Sequence, residues 1–175
     1  CFKHGFLPYE YIWYDLDHND YRRYIPIRNS YQKRLINGIF NNILGNKLIF
    51  EKHLKSVSSG IDKMHVVESL GYIDESCLNS LHEEIRFNEF SSLMPFLEKT
   101  DLILKPVVSD GGVGVMIVKK KDGYFLYNNT EMSWDEMVDS MKKLKGYLIQ
   151  GRLIQRGFSN EIYSGSVNTM RIGTM

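Results

Sequence analysis

The sequence has no alanine, only two cysteines, and no apolar run near the ~20 residues that a membrane-spanning helix needs. Each absence excludes something. Cys1 and Cys77 alone cannot build a disulfide framework or a cysteine-based zinc site. No charged-then-apolar leader opens the chain, so a soluble protein of a reducing, cytoplasmic compartment is expected. Neither sign of charge is in excess: 22 Lys plus Arg face 21 Asp plus Glu, for a formal charge of +1. A dedicated nucleic-acid binder concentrates positive charge to displace counterions from phosphates, so no nucleic-acid partner is expected. The missing alanine, with abundant Asn, Ile, Lys and Tyr, is what an AT-rich coding sequence produces and points to no function.

What is present is ordinary for a globular chain: 175 residues, 43% hydrophobic and 25% charged, enough for one domain or two small lobes. The chain opens on Cys1 and ends on Met175 within a strand-like run, as a fragment would. Half of the aromatic residues fall in the first 50 positions, including Phe6, Tyr9, Trp13 and Tyr24. Packing explains such a stretch more simply than a sugar-stacking surface, because aromatics dominate burial. The five histidines show no metal-ligand spacing, and Asp15 to Asp20 reads as a solvated loop. Ser164-Gly-Ser166 has no visible base and acid partner and reads as a turn.

The pattern predicts a helix from an N-cap at Ser30, through Leu35, Ile36, Ile39, Phe40 and Ile43, to a C-cap at Gly45. A second helix is expected over Lys47 to Lys55, then a break at Ser58 to Gly60. Met64 to Val67 is expected as a short strand and Gly71 as a turn. Leu78 to Leu97 has a mostly helical rhythm that Pro95 divides. Strands follow at Leu102 to Leu104, Val113 to Val118 and Tyr124 to Tyr127, the last two joined by the turn Lys119 to Gly123. Ser133 and Glu136 form a capping box for a helix striped by Met137, Val138, Met141 and Leu144, which Gly146 ends. Further strands are expected at Tyr147 to Gln150 and Val167 to Thr174. The fold class is therefore α+β: a helical front followed by an antiparallel, hairpin-rich part. Residue ranges 1–60, 61–150 and 151–175 are the expected divisions, with Thr100 as another candidate boundary.

The strongest local signal is LILKPVVSDGGVGVMIV, Leu102 to Val118. Lys105 closes a strand and so carries its ammonium group to a fixed place. Gly111, Gly112 and Gly114 let a loop fold back with backbone N–H groups exposed, and together these could hold a polyphosphate. The spacing is neither a Walker A loop nor a dinucleotide fingerprint, since a strand follows where a helix should begin. The alternative is a hairpin whose glycines serve only the turn.

GFLPYEYIWY, NKLIFEKHL, LKP…GGVGV, LIQGRLIQ and SVNTMRI, in that order, resemble the ATP-grasp superfamily, in particular its sugar-transfer-associated domains. The likeness spans nearly the whole chain but only the front part of a complete ATP-grasp domain, with an incomplete C-terminal lobe. It implies an ATP-dependent carboxylate–amine ligase acting in the assembly of surface polysaccharides or sugar conjugates. Its substrates would be a carboxylate, activated by ATP as an acyl phosphate, and an amine that attacks it. By this resemblance Lys47 and Lys105 are the two phosphate lysines, and Ser109, Asp110, Gly111, Gly112 and Gly114 form the lid. Gln150, Gly151, Arg152 and Leu153 form the adenine-contacting hinge, with Gln150 where many relatives carry a glutamate. Arg171 becomes the catalytic arginine, aimed at the transferred phosphate or an anionic substrate. The Mg²⁺ ligands of the family lie on strands beyond Arg171, so no metal ligand is assigned here and the chain alone should bind ATP weakly and catalyse poorly. A sugar kinase using the same phosphate grip, and a non-catalytic sugar- or partner-binding module, are the alternatives.

Overall fold

In the computed structural model, the described residues are 3–29, 38–58, 66–109, 111–155, 157 and 161–162. They divide into two compact units, Cys1–Phe50 and Glu51–Met175.

In the first unit, Pro8 occupies the first turn of α1 (Pro8–Trp13), where its missing N–H costs nothing. Glu10, three residues into the helix and fully buried, reaches back to accept the Leu7 N–H at 2.8 Å. Its other oxygen accepts the Ile27 N–H at 2.6 Å, closing 17 residues of chain onto the helix. Around it the aromatic side chains pack on one another. Phe6 meets Tyr14 edge-on at 6.2 Å, and Tyr14 stacks on Tyr24 at 4.7 Å. Phe6 is buried, Tyr14 and Tyr24 are half-buried, and Trp13 and Tyr9 are exposed. A 3-10 turn, Gly38–Phe40, leads into α2 (Asn41–Gly45). The expected start of this helix at Ser30, with Leu35 and Ile36, lies outside the described residues. Its end is Asn46 rather than Gly45. Asn46 closes α2 and also opens α3 (Lys47–Ser58), its Oδ1 accepting the Leu48 and Ile49 N–H groups at 3.1 and 3.0 Å.

The second unit is built on an open seven-stranded sheet of order β2-β1-β7-β3-β4-β5-β6, in which every pairing is antiparallel. The strands are β1 (Ser69–Asp74), β2 (Cys77–Ser80), β3 (Leu102–Pro106), β4 (Met116–Lys121), β5 (Tyr124–Tyr127), β6 (Thr130–Met132) and β7 (Tyr147–Gly151). Two helices belong to this sheet, α4 (Met94–Lys99) and α5 (Trp134–Lys142). The α+β class and its hairpin-rich antiparallel character agree with the reading from sequence.

Three local expectations are corrected. Leu78, expected to begin a helix, lies in β2, and β1 and β2 form a hairpin through Glu75 and Ser76. Both turn residues have positive φ, 48° and 68°, as a tight two-residue hairpin turn demands, yet neither is the Gly or Asn that usually signals one. Gly71, expected as a turn, is a buried strand residue: a Cβ there would lie 2.8 Å from the Asn79 carbonyl oxygen. Lys119 to Lys121, read as turn, belong to β4, and the turn is Asp122-Gly123 alone. β6 adds a strand the sequence reading missed, entered through Asn128 and Asn129 at φ 50° and 67°.

Strand alternation and register sort the sheet into two faces. Leu102, Leu104, Val118 and Ile149 face the core, where Phe90, Leu93 and Leu97 pack with Met137 and Met141 of α5. That helix opens on the expected capping box: the Ser133 N–H donates to Glu136 at 2.8 Å, and the Glu136 N–H to Ser133 Oγ at 3.4 Å. The opposite face carries Ile103 and Lys105 of β3, Ile117 of β4, Leu148 and Gln150 of β7, and Ser69 and Tyr72 of β1.

Candidate functional site

Lys105 is the next-to-last residue of β3 and sits opposite Leu148 of β7. Pairing with β7 holds its backbone, so its half-buried side chain leaves the sheet from a fixed origin. Nine residues, 107–115, connect β3 to β4. Gly111, Gly112 and Gly114 take φ values of 63°, 76° and 76°, a region that other residues enter only with strain. The three glycines differ in surroundings. A Cβ at Gly111 or Gly112 would meet nothing within 4 Å, so the loop tip is open and its backbone approachable. At Gly114 a Cβ would lie 2.9 Å from Pro106 Cγ and 3.0 Å from the Tyr147 hydroxyl. The base of the loop is therefore seated on Pro106 and Tyr147, which pair with each other on the face opposite Lys105.

Burial, and to a lesser degree the neighbouring Tyr147, push the Tyr127 hydroxyl pKa up, and that hydroxyl donates to Met116 Sδ at 2.9 Å. Exposed Val108 and Val113 border the open tip.

The residues expected to form the hinge occupy the end of β7. This strand runs between β1 and β3, so the backbone groups of Leu148 to Gln150 are committed to the two ladders. Past Gly151 the Arg152 N–H donates to the Asp101 carbonyl at 2.8 Å, and the Arg152 carbonyl accepts from Thr100 Oγ1 at 3.3 Å. The Arg152 guanidinium also pairs with Asp101 at 2.7 Å. Leu153, exposed, is the first residue beyond these commitments.

The Gln150 side chain, only 8% exposed, joins a buried polar network that sequence reasoning missed. Glu51 of α3 accepts the Ser69 N–H at 2.9 Å on Oε1, and the Ser69 hydroxyl at 2.5 Å on Oε2. Gln150 Nε2 donates to Ser69 Oγ at 3.0 Å and, more weakly, to Glu51 Oε2 at 3.4 Å. Lys55 Nζ lies 3.3 Å from Glu51 and 3.1 Å from Glu68. Burial works against the Lys55 charge, but its bonds to Glu68 and Glu51 outweigh that and hold its pKa above the ordinary value. These residues are 18 and 81 or more positions apart, so no local motif announces them. A charged residue on the apolar side of α3 was the available signal.

Lys105, Gln150 and Gly151 thus lie in one sheet, with the glycine loop following β3 and Arg152-Leu153 following β7. Lys47, the half-buried first residue of α3, belongs to the other unit. Ser109 is half-buried in the loop. Asp110 and Arg171 lie outside the described residues, as does the strand expected at Val167 to Thr174. Among the described residues no three His, Cys, Asp or Glu side chains converge to hold a metal ion, and no helix is long and apolar enough to cross a membrane. Comparison with protein-family models, curated proteins and solved structures returned no match.

Proposed function

We propose that this chain is the ATP-binding part of an ATP-grasp-type ligase, one that activates a carboxylate as an acyl phosphate for attack by an amine. The single observation that carries the reading is the β3–β4 connection. A lysine is fixed near the end of β3, and the loop that follows has an open tip with two positive-φ glycines. A cation and exposed N–H groups suit the β- and γ-phosphates of a nucleotide. The remaining support is the order of the five sequence segments, which also suggests substrates from surface-sugar assembly.

In this reading Lys105 and the N–H groups of Gly111 and Gly112 bind phosphate oxygens. Leu153 offers backbone groups to the base. Electrostatic stabilisation of the transferred phosphoryl group does most of the chemical work, and a closed loop keeps water from the activated acid. Mg²⁺ bound with ATP would neutralise phosphate charge; its carboxylate ligands and the catalytic Arg171 are not among the described residues.

Calorimetric titration with MgATP tests this. Wild-type protein should bind, and Lys105→Ala should bind at least about tenfold more weakly, the loss expected for one charge-assisted hydrogen bond. Equal affinity in the variant would move the site away from β3. Absence of binding in both would overturn the reading.

A further inference from the structure

We propose that Asp101 is a positioning residue: by clasping Arg152 it fixes the backbone leading into Leu153, and so sets affinity for a nucleotide's base without touching the phosphate grip. The inference rests on the nucleotide reading above and deepens it by naming what holds the base-contacting segment in place.

The β3–β7 ladder ends at the pair Leu102–Gly151. Just outside it, three bonds join Thr100 and Asp101 on one side to Arg152 on the other. The Arg152 N–H donates to the Asp101 carbonyl at 2.8 Å, and Thr100 Oγ1 donates to the Arg152 carbonyl at 3.3 Å. Both backbone groups of Arg152 are therefore taken. The third bond runs from the Arg152 guanidinium to Asp101 Oδ2 at 2.7 Å. Asp101 and Arg152 are thus tied through backbone and side chain at once, which stops the rotation that one hydrogen bond alone would allow. The Asp101 side chain is only 27% exposed, so this pair is less screened by water than an ordinary surface pair. Gly151 lets the two segments close up, since a Cβ there would lie 3.3 Å from Thr100 Cγ2.

Beyond the clasp the chain is open. Leu153 and Ile154 are exposed, and among the described residues no hydrogen bond takes up the Leu153 backbone. A ligand can reach this segment, and the clasp behind it sets its direction. Backbone that wanders must be ordered when a base docks, and that ordering costs affinity. Lys105 is anchored elsewhere, opposite Leu148 and three residues along β3 from Leu102, roughly 10 Å away. Loosening the clasp therefore leaves the lysine and the glycine loop in place.

MgATP and magnesium tripolyphosphate, which has the phosphates but no base, separate the two grips by calorimetric titration into the full chain. Asp101→Ala should lower MgATP affinity about threefold to fivefold, the loss expected of a well-aligned, partly exposed ion pair, and leave tripolyphosphate affinity unchanged. Asp101→Asn keeps the side-chain shape and a weaker, neutral acceptor for the guanidinium, so its loss should be smaller but confined to MgATP in the same way. Lys105→Ala should weaken both ligands in proportion and leave their ratio at the wild-type value. Melting curves establish that each variant is folded, and Asp101→Asn carries the test should Asp101→Ala unfold. Folded Asp101 variants that keep the wild-type ratio of the two affinities would overturn this inference and leave the nucleotide site standing. Failure of both ligands to bind the wild-type chain would overturn the nucleotide reading, and this inference with it.

Discussion

Each compact unit contains a buried glutamate on a helix, and the two are used differently. Glu10 takes the backbone N–H groups of Leu7 and Ile27, so it closes nearby chain onto its own helix. Glu51 takes one backbone N–H but also a hydroxyl and a side-chain amide, from strands β1 and β7. Backbone donors cannot turn, so Glu10 is a fixed structural tie. Side-chain donors can rotate or turn over, so the Glu51 network has a second self-consistent arrangement that one substitution could reach. Buried acceptor chemistry is the same in both, and what differs is whether its partners have an alternative.

The largest effect should come from removing either carboxylate. Glu51→Ala should cost about 3 to 5 kcal/mol and Glu10→Ala about 2 to 3, since the first strands buried donors and the second part-buried ones. Urea unfolding would measure both. Isosteric amides should reverse the order. Glu10→Gln sets an NH₂ group against a fixed N–H and should cost about 2 kcal/mol, whereas Glu51→Gln, with partners able to reorient, should cost about 1. Equal costs for the two amides would break the contrast.

A smaller effect tests the same distinction at the glycine loop. Gly114→Ala combines a positive φ with a Cβ forced onto Pro106 and Tyr147, and should destabilise by about 1 to 3 kcal/mol. Gly112→Ala has open space and carries only the conformational strain, about 1 kcal/mol. A thermal melt distinguishes a seated base from an open tip.

The smallest effect belongs to Glu136, a third glutamate, whose partners are local and whose side chain is exposed. The Ser133 N–H, and then its hydroxyl, hold this carboxyl below the usual pKa. A depressed folded-state pKa contributes stability above the ordinary value of 4.5, lost as pH falls through the lower folded value. Protection factors of the amides in the first turn of α5, corrected for intrinsic exchange, should therefore be constant near neutrality and fall only in acid. A fall already at pH 6 would mean that the cap is held by something else.

Much of the sheet was legible because its turns carry chemistry that sequence shows. Asp122-Gly123 and the Ser133–Glu136 capping box are local signals, and both stand where expected. The β1–β2 hairpin was not legible, because Glu75 and Ser76 take left-handed conformations that their side chains do not advertise. Periodicity then favoured a helix through Leu78 and Leu81. In the candidate site, Lys105 and the glycines stand out locally. The Glu51–Ser69–Gln150 network does not, because only the folded sheet brings those three side chains together.

The most direct test of the nucleotide site is to follow the backbone amides by NMR as MgATP is added. The account predicts that Lys105, Ser109, Gly111 and Gly112 shift together with Leu153, while amides of α1 stay in place. Shifts confined to the aromatic front, or none at any of these positions, would contradict it.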